Sequence, residues 1–290
     1  MDRIEELRTD REAIRGRASK YSDAVNRYLS VAGYRSAPTH RPAPIATTTG
    51  LVLVGADDTP TSYTAVDHAA IEADLRGWHL RIVHARRTGG VLPRARDDGS
   101  RLLERLIDRV HAYSTTVPVT SRLVVGSPAP RLLAEARNAG LVVVGHRHGV
   151  TGEIFGVSVG ERVAADHSGT VLVVRIPGWP PGPDFGQRPV VVGVDGDDSA
   201  AVRFAQEEAR LRGSDLVLVH ASRTPRVVRT EVVDGVTRHL RFVAESPADA
   251  LAEASYQAAA LVVERHGSSL PGSVSRALVQ GAHCPVFVVG

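Results

Sequence analysis

Leu75-Arg76-Gly77-Trp78-His79-Leu80-Arg81-Ile82-Val83-His84-Ala85 returns 136 residues later as Leu211-Arg212-Gly213-Ser214-Asp215-Leu216-Val217-Leu218-Val219-His220-Ala221. Matching pieces surround both copies. Gly55-Ala56-Asp57 pairs with Gly193-Val194-Asp195, and Ser127-Pro128-Ala129 with Ser246-Pro247-Ala248. The apolar runs Leu141 to Val144 and Val171 to Val174 come back as Ala260 to Val263 and Val286 to Val289. A repeat of this length means two copies of one domain.

The 290 residues suffice for two domains, each with its own core. An apolar fraction of 43% and a charged fraction of 23% are those of a globular protein in water. The net charge of +3 is spread along the chain and gives no ground for a nucleic-acid partner. Lys20 is the only lysine, so 34 of the 35 basic residues are arginine, a bias we attribute to GC-rich codons. The single Cys284 excludes an internal disulfide and fits a reducing, cytoplasmic setting. The start is charged from Asp2 onward, unlike a signal peptide. No stretch approaches the roughly 20 apolar residues of a membrane span.

Residues 1–36 read as helical, because Ile4, Leu7, Ile14, Ala18, Tyr21, Val25 and Tyr28 form one apolar stripe. The stripe either docks on the body of the protein or makes a coiled-coil contact between chains. A Pro/Thr-rich linker runs from Ala37 to Thr49. The boundaries are then an extension over 1–49, a first domain over 50–176, a Pro/Gly linker over 177–188 and a second domain over 189–290. Trp179-Pro180-Pro181-Gly182-Pro183 is expected to hold no regular element.

Within the first repeat the spacing predicts strands near 51–54, 80–84, 119–125, 141–144 and 171–174. Helices are predicted near 62–76, 100–114, around Leu132, Leu133 and Ala136, and near 157–165. Alternating strands and helices argue an α/β fold with a parallel sheet covered on both faces. Continuous apolar strands agree with burial on both faces. The second repeat departs from the first after His220. Val227 to Val233, then Asp234-Gly235, then Val236 to Val243 read as a β-hairpin, since a type I′ turn needs φ > 0 at both central residues. One helix of the first domain is therefore expected to be an extra antiparallel strand in the second.

Ligands of a doubly wound sheet sit beyond the carboxyl ends of the strands, where strand order reverses. Asp57 and Asp195 close the first strand of each copy at that point, and either carboxylate could accept from an adenine amino group or a ribose hydroxyl. Each could equally cap the following helix or turn.

With its first-strand Asp, the Gly126-Ser127-Pro128-Ala129 stretch and the loop after strand four, the chain resembles the universal stress protein family in its tandem form. The resemblance covers about residues 50–175 and 189–290. It implies two Rossmann-like domains of strand order 3-2-1-4-5 and an adenine nucleotide such as ATP as ligand. Gly55, Asp57, Val83, Gly145, His148, Gly149, Ser158 and Val159 would form the first site, and Asp195, Val219, Gly267, Gly272 and Ser273 the second. Val83 and Val219 would touch the adenine, unless they are plain strand core.

In nucleotide-binding members of the family the loop reads Gly, two residues, Gly, nine residues, then Gly-Ser or Gly-Thr. Its glycines let N–H groups approach phosphates, and its last pair opens a helix whose N-terminus favours anions. Both copies depart from that pattern. In the first, His148 stands where the second glycine belongs, Gly149 follows, and Val157-Ser158 takes the last pair. In the second, Glu264 replaces the first glycine, and only Ser268, Ser269, Leu270 and Pro271 separate Gly267 from Gly272-Ser273. A carboxylate at Glu264 would repel phosphate by on the order of 1 kcal/mol. Nucleotide is therefore expected in the first domain, bound weakly. His146, Arg147 and His148 could pair with phosphate, hold a metal, or form a solvated rim.

No nucleophile and base pair can be assigned, and neither loop has the lysine and hydroxyl ending of a P-loop, so no enzyme activity is expected. The resemblance also implies pairing of the fifth strands, here within one chain, as a pseudo-dimer without exposed edges. A homodimer through the N-terminal helix is the further possibility. The function expected is a stress-response regulator binding an adenine nucleotide. The alternative is a nucleotide-free scaffold acting through protein contacts.

Overall fold

The computed structural model describes residues 20–31, 50–86, 94–146, 158–175, 183–194, 199–222, 229–265 and 274–290. Helix α1 (Lys20–Val31) precedes the first domain. That domain runs β1 (Leu51–Gly55), α2 (Pro60–Arg76), β2 (His79–Arg86), α3 (Arg94–Tyr113), β3 (Val119–Val125), α4 (Pro128–Glu135), β4 (Leu141–Gly145), α5 (Val159–Asp166) and β5 (Val171–Val174). The second runs β6 (Val190–Gly193), α6 (Ala200–Arg212), β7 (Leu216–Ala221), β8 (Arg229–Val233), β9 (Val236–Val243), α7 (Pro247–Ala254), β10 (Ala260–Glu264), α8 (Val274–Gly281) and β11 (Val286–Val289).

The eleven strands among the described residues lie in one sheet, ordered β3-β2-β1-β4-β5-β11-β10-β6-β7-β9-β8. Each half keeps five parallel strands in the 3-2-1-4-5 order, with β8 an antiparallel addition at the edge of the second, and the halves join by antiparallel pairing of β5 with β11. Leu172 faces Phe287 in that join, and both are fully buried. The pseudo-dimer expected from the sequence is thus built inside one chain.

The quoted repeat is a helix end followed by a strand. Gly77 and Gly213 hold φ of 65° and 64° and cap α2 and α6 in the left-handed conformation, which glycine adopts without a Cβ clash. At the other end Thr59 and Ser199 cap the same two helices through their hydroxyls. Two apolar clusters line the sheet, one beneath α1, α2, α3 and α6 and the other beneath α4, α5, α7 and α8.

The predicted hairpin is present. Asp234 and Gly235 take φ of 48° and 76°, the left-handed pair that a type I′ turn demands. β9 occupies the third-strand position beside β7, and β8 adds an antiparallel edge outside it.

Of the predicted N-terminal helix, α1 is described, and Ile4, Leu7, Ile14 and Ala18 lie outside the described residues. Tyr21, Ala24, Val25 and Tyr28 are buried against the body, so the docked reading holds for this part of the stripe. Arg27 pairs with Asp74 of α2, and Ser22 Oγ donates to Gly186 O at 2.9 Å. The interdomain linker differs from expectation in one respect: Pro183–Gln187 forms a short 3₁₀ turn. Proline tolerates the first position of a helical turn, and Phe185 is buried there, its ring 6.2 Å from that of Tyr21.

Beneath α1 the two domains share four buried charges. Arg212 of α6 reaches Glu72 of α2 at 2.6 Å and Glu208 at 2.9 Å, while Arg76 pairs with Glu72 and Glu208. Burial alone would raise the Glu72 carboxyl, but Arg212 and Arg76 outweigh it and hold the group below the usual carboxylate range. The Tyr21 ring covers the Arg212 guanidinium at 4.3 Å.

Candidate functional site

The mouth of the first domain lies beyond β1, β2 and β4. A Cβ on Gly55 would stand 2.6 Å from Leu132 Cδ1, so this glycine lets α4 pack onto the strand end. Two residues on, Asp57 is half-buried and held by the turn that starts α2. Its Oδ1 accepts from Thr59 Oγ1 at 2.5 Å and from Ser62 Oγ at 2.6 Å, and its N–H donates to Ser62 Oγ at 2.9 Å. The carboxylate therefore clips the helix start, as the capping alternative expects. The same clip fixes its orientation at the mouth. Beside it, Asp58 accepts from Tyr63 Oη at 2.7 Å and from Arg105 Nη2 at 3.2 Å.

Val83, in the second half of β2, is fully buried in the cluster with Leu53, Ala129 and Leu132, and its carbonyl accepts from Ala56 N at 3.0 Å. Val219 repeats both features, with Val194 N donating to its carbonyl at 3.0 Å. On the same face of each strand, two residues nearer the mouth, stand Ala85 and Ala221, both half-buried. These small residues stand nearer the strand ends than the valines do. Each closes its copy of the repeated block. His84 Nδ1 lies 2.8 Å from Ala56 O. A carbonyl only accepts, so Nδ1 carries the proton.

The opposite wall is the first turn of α5. A Cβ on Gly145 would stand 2.7 Å from Thr61 Cγ2, and one on Gly160 would stand 2.8 Å from Gly145 O. These two glycines bring the start of α2, the end of β4 and the start of α5 together. Ser158 caps α5: its Oγ accepts from Glu161 N at 3.1 Å, while Glu161 Oε2 accepts from Ser158 N at 2.8 Å. Burial would raise the Glu161 carboxyl, but hydrogen bonds from Ser158 and Gln280 hold it below the usual range. Val159, at the first helical position, is 40% exposed. His148 and Gly149 lie outside the described residues.

In the second domain Asp195, Gly267, Gly272 and Ser273 also lie outside the described residues. Gly193 repeats the role of Gly55, its Cβ position 2.7 Å from Leu251 Cδ1. At the root of the loop, the residue after Glu264 is committed elsewhere. Arg265 Nε donates to Ala164 O at 3.0 Å and its Nη2 to Gly169 O at 3.1 Å, both in the first domain. Arg175 returns the contact, its Nη1 donating to Ala282 O at 3.0 Å. Each arginine meets a carbonyl at the C-terminal end of a helix of the other domain, Ala164 O for Arg265 and Ala282 O for Arg175, where a cation is favoured. Among the described residues no group of three or more His, Cys, Asp and Glu could hold a metal ion. Among them, too, no helix is long and apolar enough to cross a membrane.

The family model of the universal stress protein family matches residues 50–175 and 226–290. The universal stress protein Rv1996 of Mycobacterium tuberculosis is 28% identical over 300 residues, covering 82% of this chain and 94% of its own. A universal stress protein of Mycolicibacterium smegmatis is 40% identical over 134 residues, 43% of this chain and 45% of its own. Among solved structures, a universal stress protein from Archaeoglobus fulgidus superposes with a TM-score of 0.63 at 17% identity, covering 82% of this chain and 97% of that one. The chain belongs to the universal stress protein family.

Proposed function

We propose that this chain is a stress-response regulator whose first domain binds an adenine nucleotide weakly, with the base beside Ala85 and Asp57 and the phosphates at the first turn of α5. The single observation that carries the reading is the contrast between the two loop roots. In the first domain Gly145 and Gly160 keep the α5 turn against the strand end, with Ser158 already oriented by its capping box. The box engages the Ser158 and Glu161 N–H groups, so a phosphate would meet those of Val159 and Gly160. In the second domain the corresponding root sends Arg265 into the first domain as a staple.

A second reading, the nucleotide-free scaffold, draws on the packing at the same mouth. Leu132 fills the space a Gly55 side chain would take, Thr61 that of Gly145, and Val83 belongs to the core. Each residue then has a structural reason to be what it is. Calorimetry with ATP, AMP and cyclic AMP on the full chain separates the two. Heat with any nucleotide that disappears in Asp57→Asn supports the site; no heat with any of them supports the scaffold. Binding that survives Asp57→Asn moves the site elsewhere. The asparagine keeps an acceptor for Thr59 and Ser62, so loss of binding would not merely report a lost turn.

A further inference from the structure

Glu161 is bonded on two sides. One carboxylate oxygen, Oε2, accepts Ser158 N in the capping box of α5; the other, Oε1, accepts Gln280 Nε2 of α8 at 2.5 Å. Arg276, one turn earlier on α8, brings Nε to 3.9 Å from the same Oε1. Glu161 is 6% exposed, while Gln280 is exposed and the Arg276 side chain is 38% exposed, so the carboxylate is sheltered and its partners reach it from the rim, by hydrogen bonds strengthened by its charge. A capping box needs only its own helix. Here its carboxylate is also the meeting point of two domains. The grip is wider than one residue, because Arg265 bonds the far end of α5 and Arg175 the far end of α8. α8 itself follows directly on residues 266–273, the second domain's counterpart of the glycine loop.

We propose that the second domain is the regulatory half of the molecule: through Gln280 and Arg276 it positions Glu161, and with it the Ser158 turn that faces the phosphates in the first domain. The inference rests on the nucleotide reading for its ligand, and on the two-sided bonding of Glu161 for its mechanism. A phosphate at the α5 turn adds negative charge near the Glu161 carboxylate, a repulsion that the Arg276 guanidinium offsets. α8 therefore sets how well the first domain tolerates an anion. Adenosine, which has no phosphate, is insensitive to it. Gln280 and Arg276 are positioning residues in this scheme and do not touch the nucleotide.

The test uses the full chain and the variants Gln280→Leu, Arg276→Ala and Arg276→Lys. Hydrogen exchange read by mass spectrometry reports the 158–161 turn, and calorimetry reports ATP and adenosine. In Gln280→Leu, exchange of 158–161 should rise about tenfold, the size expected for losing one hydrogen bond to a charged group, with β1 unchanged. In Arg276→Ala, ATP should weaken at least about fivefold with adenosine unchanged, and Arg276→Lys should restore it. Wild-type exchange at 158–161 in Gln280→Leu would overturn the proposal, as would equal weakening of ATP and adenosine. If the wild-type chain binds neither ligand, the nucleotide reading falls. The exchange result then decides alone whether α8 positions the turn.

Discussion

Arg212→Met should be among the most destabilising single changes available in this chain. The Arg212 and Glu72 side chains are 2% and 1% exposed, and the bond joins helices of different domains. Removing the arginine leaves Glu72 and Glu208 buried together with Arg76 as the one cation that pairs with both among the described residues. Breaking a buried ion pair from one side costs about 3–5 kcal/mol, because the remaining charge stays out of water. Loss of the Tyr21 ring contact at 4.3 Å acts in the same direction. A loss of about 4 kcal/mol corresponds to a fall in Tm of about 8–16 °C for a cooperative unit of this size. The double variant Glu72→Gln/Arg212→Met removes one charge of each sign and leaves Arg76 with Glu208. Its cost should fall short of the sum of the two single changes by about 2 kcal/mol. Equilibrium urea unfolding of the wild type, both single variants and the double variant measures all four corners. A cost for Arg212→Met below about 1 kcal/mol would refute the reasoning, and so would additive single variants.

Three further outcomes are expected. Burial, with Arg212 nearby, lowers the His68 pKa from 6.5 to about 4, so between those values the unfolded chain binds a proton that the folded chain refuses. Stability should thus be full above pH 6.5 and fall by about 3 kcal/mol towards pH 4, and urea titrations of His68→Gln should show that slope removed. Gly235→Ala should cost about 1 kcal/mol from backbone strain alone, since its φ is 76° and an added Cβ meets nothing within 4 Å; a cost below about 0.3 kcal/mol would contradict the turn assignment. Deleting residues 1–46 should lower Tm, by uncovering the surface that Tyr21 and Val25 bury, while light scattering shows the same oligomeric state with and without them; a change of state would bring back the coiled-coil contact.

What could be read from the residues alone follows from how local each cause is. The strands were legible because burial on both faces leaves continuous apolar runs, and the hairpin because Asp234-Gly235 carries its own turn geometry. The capping role of Ser158 lay within one turn of helix. The wiring of the mouth was less legible. Val83 and Ala85 share one face of β2, and which of them lines the opening depends on where α4 ends its cover of the strand. The buried charges were the least legible of all. Glu72 and Arg76 repeat as Glu208 and Arg212 at the same offset of 136, and taken singly each is an ordinary i,i+4 pair on a helix surface. A two-fold relation changes their meaning. Whatever one copy presents at the axis meets its own duplicate, so a glutamate and an arginine one turn apart are complementary to themselves. Duplication therefore placed an ion-pair network across the join, and α1 then covered one side of it. The same logic fits the glycine loops. Once two copies are joined in one chain by β5, β11 and this network, they need not stay alike, and at the root of the second loop Arg265 staples the second domain to the first.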